Sequence, residues 1–297
     1  MTALPSPLPD VGVAPPGHRL PAETRLGPVR FQVADLARSR AFYEGVLGLR
    51  VLAERDGAAT LGADAPLVEL VERPGVRPVP RRGRLGLYHV AYLLPSRADL
   101  GRFVRHLAEA GLRAGMSDHL VSEAVYLTDP DGLGVEVYAD RPRAAWRRDG
   151  RQIAMATEPL DVADLLRAAG EGRWGGAPAG TVVGHVHLHV GSLDRAAAFY
   201  HEALGLDQVV WGYPGALFLS AGGYHHHLGL NTWAAGAPPA DEDDARLLEW
   251  TLVVPTADDA EAAARSLEAA GAAVARDGAD RLAADPWGTT LRITPSA

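Results

Sequence analysis

The sequence predicts an α+β fold in which four βαβββ modules form two incomplete mixed β-barrels flanked by helices. Three observations support this. First, Gly27–Leu49 and Gly184–Leu206 repeat each other, with eleven of 23 positions identical, among them Gly27, Val29, Arg38, Phe42, Tyr43 and Gly48. Self-similarity at a fixed offset marks a duplicated structural unit. Second, Tyr88–Gly111 and Leu248–Gly271 form another related pair, and each leads to an Asp-Pro-x-Gly turn, at Asp129–Gly132 and Asp285–Gly288. Third, each unit opens with a strand that alternates apolar and polar residues, such as Val186, Leu188 and Val190 against His185, His187 and His189. A helix with one buried face follows, carrying Phe199, Tyr200, Ala203 and Leu204, with Asp194 near its start and Gly205 at its end.

Along the chain, residues 1–24 read as a Pro-rich, disordered tail without the pattern of a signal peptide, so the expected location is cytoplasmic. Residues 25–140 hold two modules and 181–297 hold two more. Residues 141–180 read as a linker with one short helix around Asp161–Ala169. At 297 residues, with 47% hydrophobic and 22% charged side chains, two globular domains are expected. A net charge of −8 argues against nucleic acid as a partner, and no apolar run is long enough for a membrane span. The sequence leaves a homo-oligomer open. It has no cysteine and eleven histidines, so any metal must be held by imidazole, carboxylate or water.

Alternation sets which residues face the concave side of each sheet. In the second module these are His89 and, in its last strand between Val135 and Val137, Glu136. In the third they are His185, His187 and His189. The first module offers Pro28, Arg30 and Gln32, and the fourth offers Glu249 and Arg292 where the second has His89 and Glu136. Modules two and three together therefore supply two His and one Glu, whereas one and four supply no competent set. Pairing one with two would split the ligands between barrels, whereas pairing two with three and one with four places a complete set in one barrel, and this second arrangement is the expected one.

The start G-H-V-x-L-x-V-x-x-L-x-R-x-x-x-F-Y at Gly184, the stretch Asp118–Pro142 and the segment Gly222–Trp233 resemble the vicinal oxygen chelate (glyoxalase/bleomycin resistance/extradiol dioxygenase) superfamily, most closely its two-domain catechol 2,3-dioxygenase-like members. The resemblance implies that His89, His185 and Glu136 bind Fe(II). It also implies that His226, within His225–His227, is the acid/base group and that Tyr126 contacts a substrate oxygen. His187, His225 and His119 are further substrate-binding candidates. Two imidazoles and a carboxylate form the facial triad of non-haem Fe(II) oxygenases, which leaves adjacent positions for a catecholate and O₂. The expected function is thus an extradiol dioxygenase, with a small aromatic substrate and dioxygen as partners. The alternatives are a glyoxalase-type lyase or thiol-transferring resistance enzyme using Mn, Zn or Ni, and a metal-free protein that binds an aromatic drug. This family usually places all three ligands in the C-terminal barrel, and Glu249 and Arg292 depart from that order. Set against these roles, His187 and His189 could simply line a cavity and Tyr126 could be a core aromatic. Three consecutive histidines in a strand cannot all point inward, so one or two of His225–His227 are expected to be exposed.

Overall fold

The computed structural model describes residues 11–80 and 82–296. Two eight-stranded mixed sheets dominate it. One sheet runs, edge to edge, through Asp207–Val210, Ala216–Ser220, Leu228–Asn231, Val182–His189, Gly86–Leu93, Gly134–Asp140, Ser122–Thr128 and Gly115–Asp118. It joins modules three and two through their antiparallel first strands. The other sheet joins modules four and one in the same way, through Arg246–Val254 and Arg25–Val33. Within each module the first strand lies parallel to the last, as in Gly86–Leu93 with Gly134–Asp140. Each sequence half therefore contributes one module to each sheet. Among the described residues, no helix is long and apolar enough to cross a membrane.

The repeated residues are explained by packing between the two sheets. Tyr43, on the module-one helix Leu36–Gly45, donates to Asp129 Oδ2 in the module-two turn at 3.4 Å. Its repeat partner Tyr200 donates to Asp285 Oδ2 at 2.9 Å. Both turn aspartates accept two backbone N–H groups through Oδ1, from Asp131 and Leu133 in one half and from Trp287 and Thr289 in the other. Arg38 pairs with Asp131, and Arg195 lies 5.5 Å from the Trp287 ring. The Phe-Tyr and Asp-Pro-x-Gly signatures thus dock one module of each half onto its neighbour.

The tail differs from expectation. Residues 1–10 lie outside the described residues, but 11–24 pack on module three. Val13 exchanges backbone hydrogen bonds of 2.8 and 3.0 Å with Gln208. Arg19 makes a two-pronged pair with Asp207 at 2.8 and 2.7 Å, and Leu20 is buried. These contacts are non-local, so a composition window over the prolines cannot register them. The stretch expected to be a linker carries the helix Val162–Ala168, capped by Asp161, which packs on the helix Arg97–Glu109.

Burial pushes the Asp129 carboxyl up to about 7. An unfolded Asp titrates near ~3.9, so the folded state binds this proton more tightly. The resulting stability is complete below about pH 4 and is lost as pH rises through 7. Asn keeps the Oδ1 acceptor without titrating. Denaturant unfolding at pH 5 and pH 8 should therefore show a smaller pH dependence for Asp129→Asn than for the parent. An equal dependence would refute the assignment.

Candidate metal centre and cavity

The first strands of modules two and three run antiparallel with His187 opposite His89 and His185 opposite Ala91. A register shift between Val183 and His185 marks a bulge at this point, a device that re-aims side chains beside functional sites. Gly184 sits in it against Tyr138, where a Cβ would lie 1.8 Å from the Tyr138 hydroxyl oxygen. That close approach brings His185 toward Glu136 on the strand Gly134–Asp140.

His89, Glu136 and His185 converge, and all three are buried. Their donor atoms form a triangle: His89 Nε2 to Glu136 Oε2 at 3.0 Å, His185 Nε2 to Glu136 Oε2 at 3.2 Å, and Nε2 to Nε2 at 3.3 Å. Ligands about 2.0–2.2 Å from one metal on adjacent octahedral positions stand about 2.8–3.1 Å apart, so the triangle is close to one octahedral face. Burial would raise the Glu136 carboxyl, but His185 and His89 outweigh it and hold the group ionised, well below the carboxylate range. Burial lowers His185 to about 4, so it is neutral at pH 7. A buried carboxylate beside a neutral His185 calls for a cation. The donor set fits a divalent metal. Among the described residues, His185 Nδ1 is buried without a hydrogen-bond partner. Packing orients this ring instead, with His226, Tyr138 and His225 at centroid distances of 4.1, 5.0 and 6.2 Å.

The triad opens into a cavity of about 510 Å³, within the range of small-molecule sites. His119, Tyr126, His187, His189 and His226 line it, with Tyr88, Tyr213, Phe218 and Trp233 as aromatic walls. His119 sits just beyond the strand Gly115–Asp118, and its Nδ1 is 2.7 Å from the Ala156 carbonyl, which can only accept. Its Nε2 therefore accepts from the Tyr126 hydroxyl at 2.5 Å. Tyr126 lies opposite Glu136 in the strand register. Burial, then the Glu136 charge, raise its pKa well above the usual value, so the hydroxyl stays protonated. The Tyr126 hydroxyl thus lies between two groups that can take its hydrogen bond, His119 Nε2 and the Glu136 carboxylate, at the edge of the triad.

The three consecutive histidines differ from expectation. They lie in the turn before the strand Leu228–Asn231, not within a strand, and all three are buried. Strand alternation does not apply in a turn, so none is exposed. His226 lines the cavity, whereas His225 and His227 do not. His225 Nε2 is 2.9 Å from Asp140 Oδ1, and its Nδ1 is 2.7 Å from His226 Nδ1. A carboxylate accepts, so His225 carries its proton on Nε2, His226 carries its own on Nδ1, and the lone pair of His226 is on Nε2. Burial, then His185 and His225, hold His226 well below the usual imidazole value, hence neutral. His227 Nδ1 accepts from the Ala221 N–H at 3.1 Å and ties down the turn.

The second sheet has ion pairs in the corresponding place. Arg292 grips Glu249 with two hydrogen bonds of 2.7 and 3.0 Å, and Arg30 pairs with Glu69. Asp140, Asn231, Tyr88 and Trp233 were not singled out from sequence. Asp140 meets His225 and Asn231 meets His187 across the fold, and no local periodicity marks those pairs.

A four-module α+β fold with two imidazoles and a carboxylate converging in one barrel defines a vicinal oxygen chelate protein. The comparisons agree: the model of the Glyoxalase/Bleomycin resistance protein/Dioxygenase superfamily matches residues 25–137 and 182–293, and the chain belongs to this superfamily. It is 44% identical over 255 residues to the catechol-2,3-dioxygenase of Bacillus subtilis (strain 168), covering 84% of this chain and 89% of that one. Solved structures share the fold, two of them as follows. One is a Bacillus subtilis protein proposed to be a dioxygenase, with TM-score 0.63 and 16% identity over 94% of this chain and 86% of that one. The other is maize glyoxalase I, with TM-score 0.54 and 19% identity over 92% of each chain.

Proposed function

We propose that the chain is an Fe(II)-dependent extradiol dioxygenase that opens a catechol-like ring beside its diol. The observation that carries this reading is the His89–Glu136–His185 triangle, set in the same aromatic-walled cavity as a neutral His226. The relative named catechol-2,3-dioxygenase supports it. Bound Fe(II) would supply adjacent positions for the two catechol oxygens and for O₂, together with electron transfer between them.

The chain's own groups supply the rest. His89, His185 and Glu136 hold the metal. His226 Nε2, with its lone pair set by the Asp140–His225 relay, takes a proton from the incoming diol and later returns it. Tyr126, protonated and hydrogen-bonded to His119, stands beside the second ring hydroxyl and orients it. Phe218, Trp233 and Tyr88 pack against the ring and keep water from it.

The test is to load the full chain with Fe(II) without oxygen, then add a catechol and O₂. A yellow ring-opened product, absent when Zn replaces Fe, is the expected result. Isomerisation of a glutathione hemithioacetal with Zn, Ni or Mn, without ring cleavage, would move the chain to the lyase reading. Failure to retain any metal would point to aromatic binding alone.

A further inference from the structure

We infer that His187 is a specificity residue that presents an Nδ1–H to a hydrogen-bond acceptor carried by the aromatic substrate away from its diol. This rests on the proposed reading that the substrate is an aromatic diol.

A chain of unambiguous donors sets the proton position. The Trp233 backbone N–H can only donate, and it reaches the side-chain oxygen of Asn231 at 3.1 Å. That fixes the orientation of the Asn231 amide. The same oxygen is 2.6 Å from His189 Nδ1, which therefore donates to it. The Asn231 NH₂ group then points at His187 Nε2, 3.0 Å away. His187 Nε2 is thus an acceptor, and the proton of the neutral ring is on Nδ1. Asn231, His187 and His189 are 0%, 4% and 4% exposed, so protein groups supply these hydrogen bonds.

Packing holds the ring as firmly as the hydrogen bonds do. His187 lies opposite Gly229 in the parallel pairing of Val182–His189 with Leu228–Asn231. A Cβ on Gly229 would lie 2.8–3.0 Å from three atoms of the imidazole ring. Only glycine leaves the ring this seat.

The surroundings determine what a single N–H can do. His187 faces the cavity across from His89, one pleat along from His185. Its other neighbours are the rings of Tyr88, Phe218 and Trp233, at centroid distances of 5.1, 5.6 and 5.8 Å. A fixed donor on an aromatic wall favours a ligand with an acceptor there over an isostere without one. The substrate class is therefore a catechol bearing an ether, carbonyl or carboxylate oxygen, rather than a purely alkyl-substituted one.

The experiment compares 4-methoxycatechol with 4-ethylcatechol, which are close in size, by anaerobic calorimetric titration of the Fe(II)-loaded full chain. The parent is expected to bind the methoxy compound about tenfold more tightly. His187→Phe and Gly229→Ala should lose that preference with metal content unchanged, and His187→Gln, which keeps an N–H donor, should restore part of it. Independently, ¹⁵N NMR of the Zn-loaded chain should show His187 with a protonated Nδ1 and a bare Nε2. In Asn231→Leu this fixed pattern should give way to a mixture. A protonated Nε2 in the parent, or an undiminished preference in His187→Phe, would overturn the inference. Cleavage of both catechols with equal affinity would overturn it and leave the dioxygenase reading standing. Binding of neither would remove both.

Discussion

Glu136→Ala is expected to abolish metal retention, and any ring-cleaving activity with it. Three donors 3.0–3.3 Å apart define the site, and Glu136 is the one that carries charge. Losing an outer hydrogen-bond partner of a metal ligand typically costs ~10–100-fold in affinity, so losing the charged ligand itself should cost more. The fold should survive, because Val135 and Val137 still pack in the core and an uncompensated buried carboxylate is gone. Metal analysis after gel filtration, with circular dichroism for the fold, makes the measurement. His89→Ala and His185→Ala should behave alike. Arg292→Ala is the control, since Arg292 pairs with Glu249 in the other sheet; its metal content should match the parent. Equal stoichiometry in Glu136→Ala and the parent would sink the assignment.

His226→Ala is expected to keep the metal, still bind a catechol anaerobically, and lose turnover by ~10²–10⁴-fold, the usual worth of general acid–base assistance. The neutral, cavity-facing Nε2 motivates this. His225→Ala should fall between His226→Ala and the parent, because it removes the group that sets the His226 tautomer and leaves the reacting imidazole in place. His227→Ala should mainly lower stability, since its ring holds the turn through Ala221. Single-turnover rates at saturating catechol separate these cases. If His226→Ala turns over at the parental rate, the acid/base role fails.

Much of this protein is determined locally and can be read from the chain. The 27–49 and 184–206 repeat, the strand alternation around His185 and Glu136, and the Asp-Pro-x-Gly turns depend on residues a few positions apart. They specify the module and its inward row. The residue inventory of those rows also identifies where a metal can sit, because Glu249 and Arg292 make an ion pair and not a ligand set. Only the tertiary structure decided what depends on partners distant in sequence. The first strands of modules two and three form the antiparallel centre of one sheet, so His89 and His185, 96 residues apart, meet at 3.3 Å. His225, His226 and His227 take three different directions because they occupy a turn, where pleat alternation has no force. Asp140 and Asn231 gain their roles from histidines 85 and 44 residues away. The tail from residue 11 is held by Gln208 and Asp207 on a strand nearly two hundred residues on. Hydrophobic periodicity records which face of an element is buried. It carries no record of which polar groups will face each other across the space so enclosed, and that pairing is what sets proton positions and chemistry in this cavity.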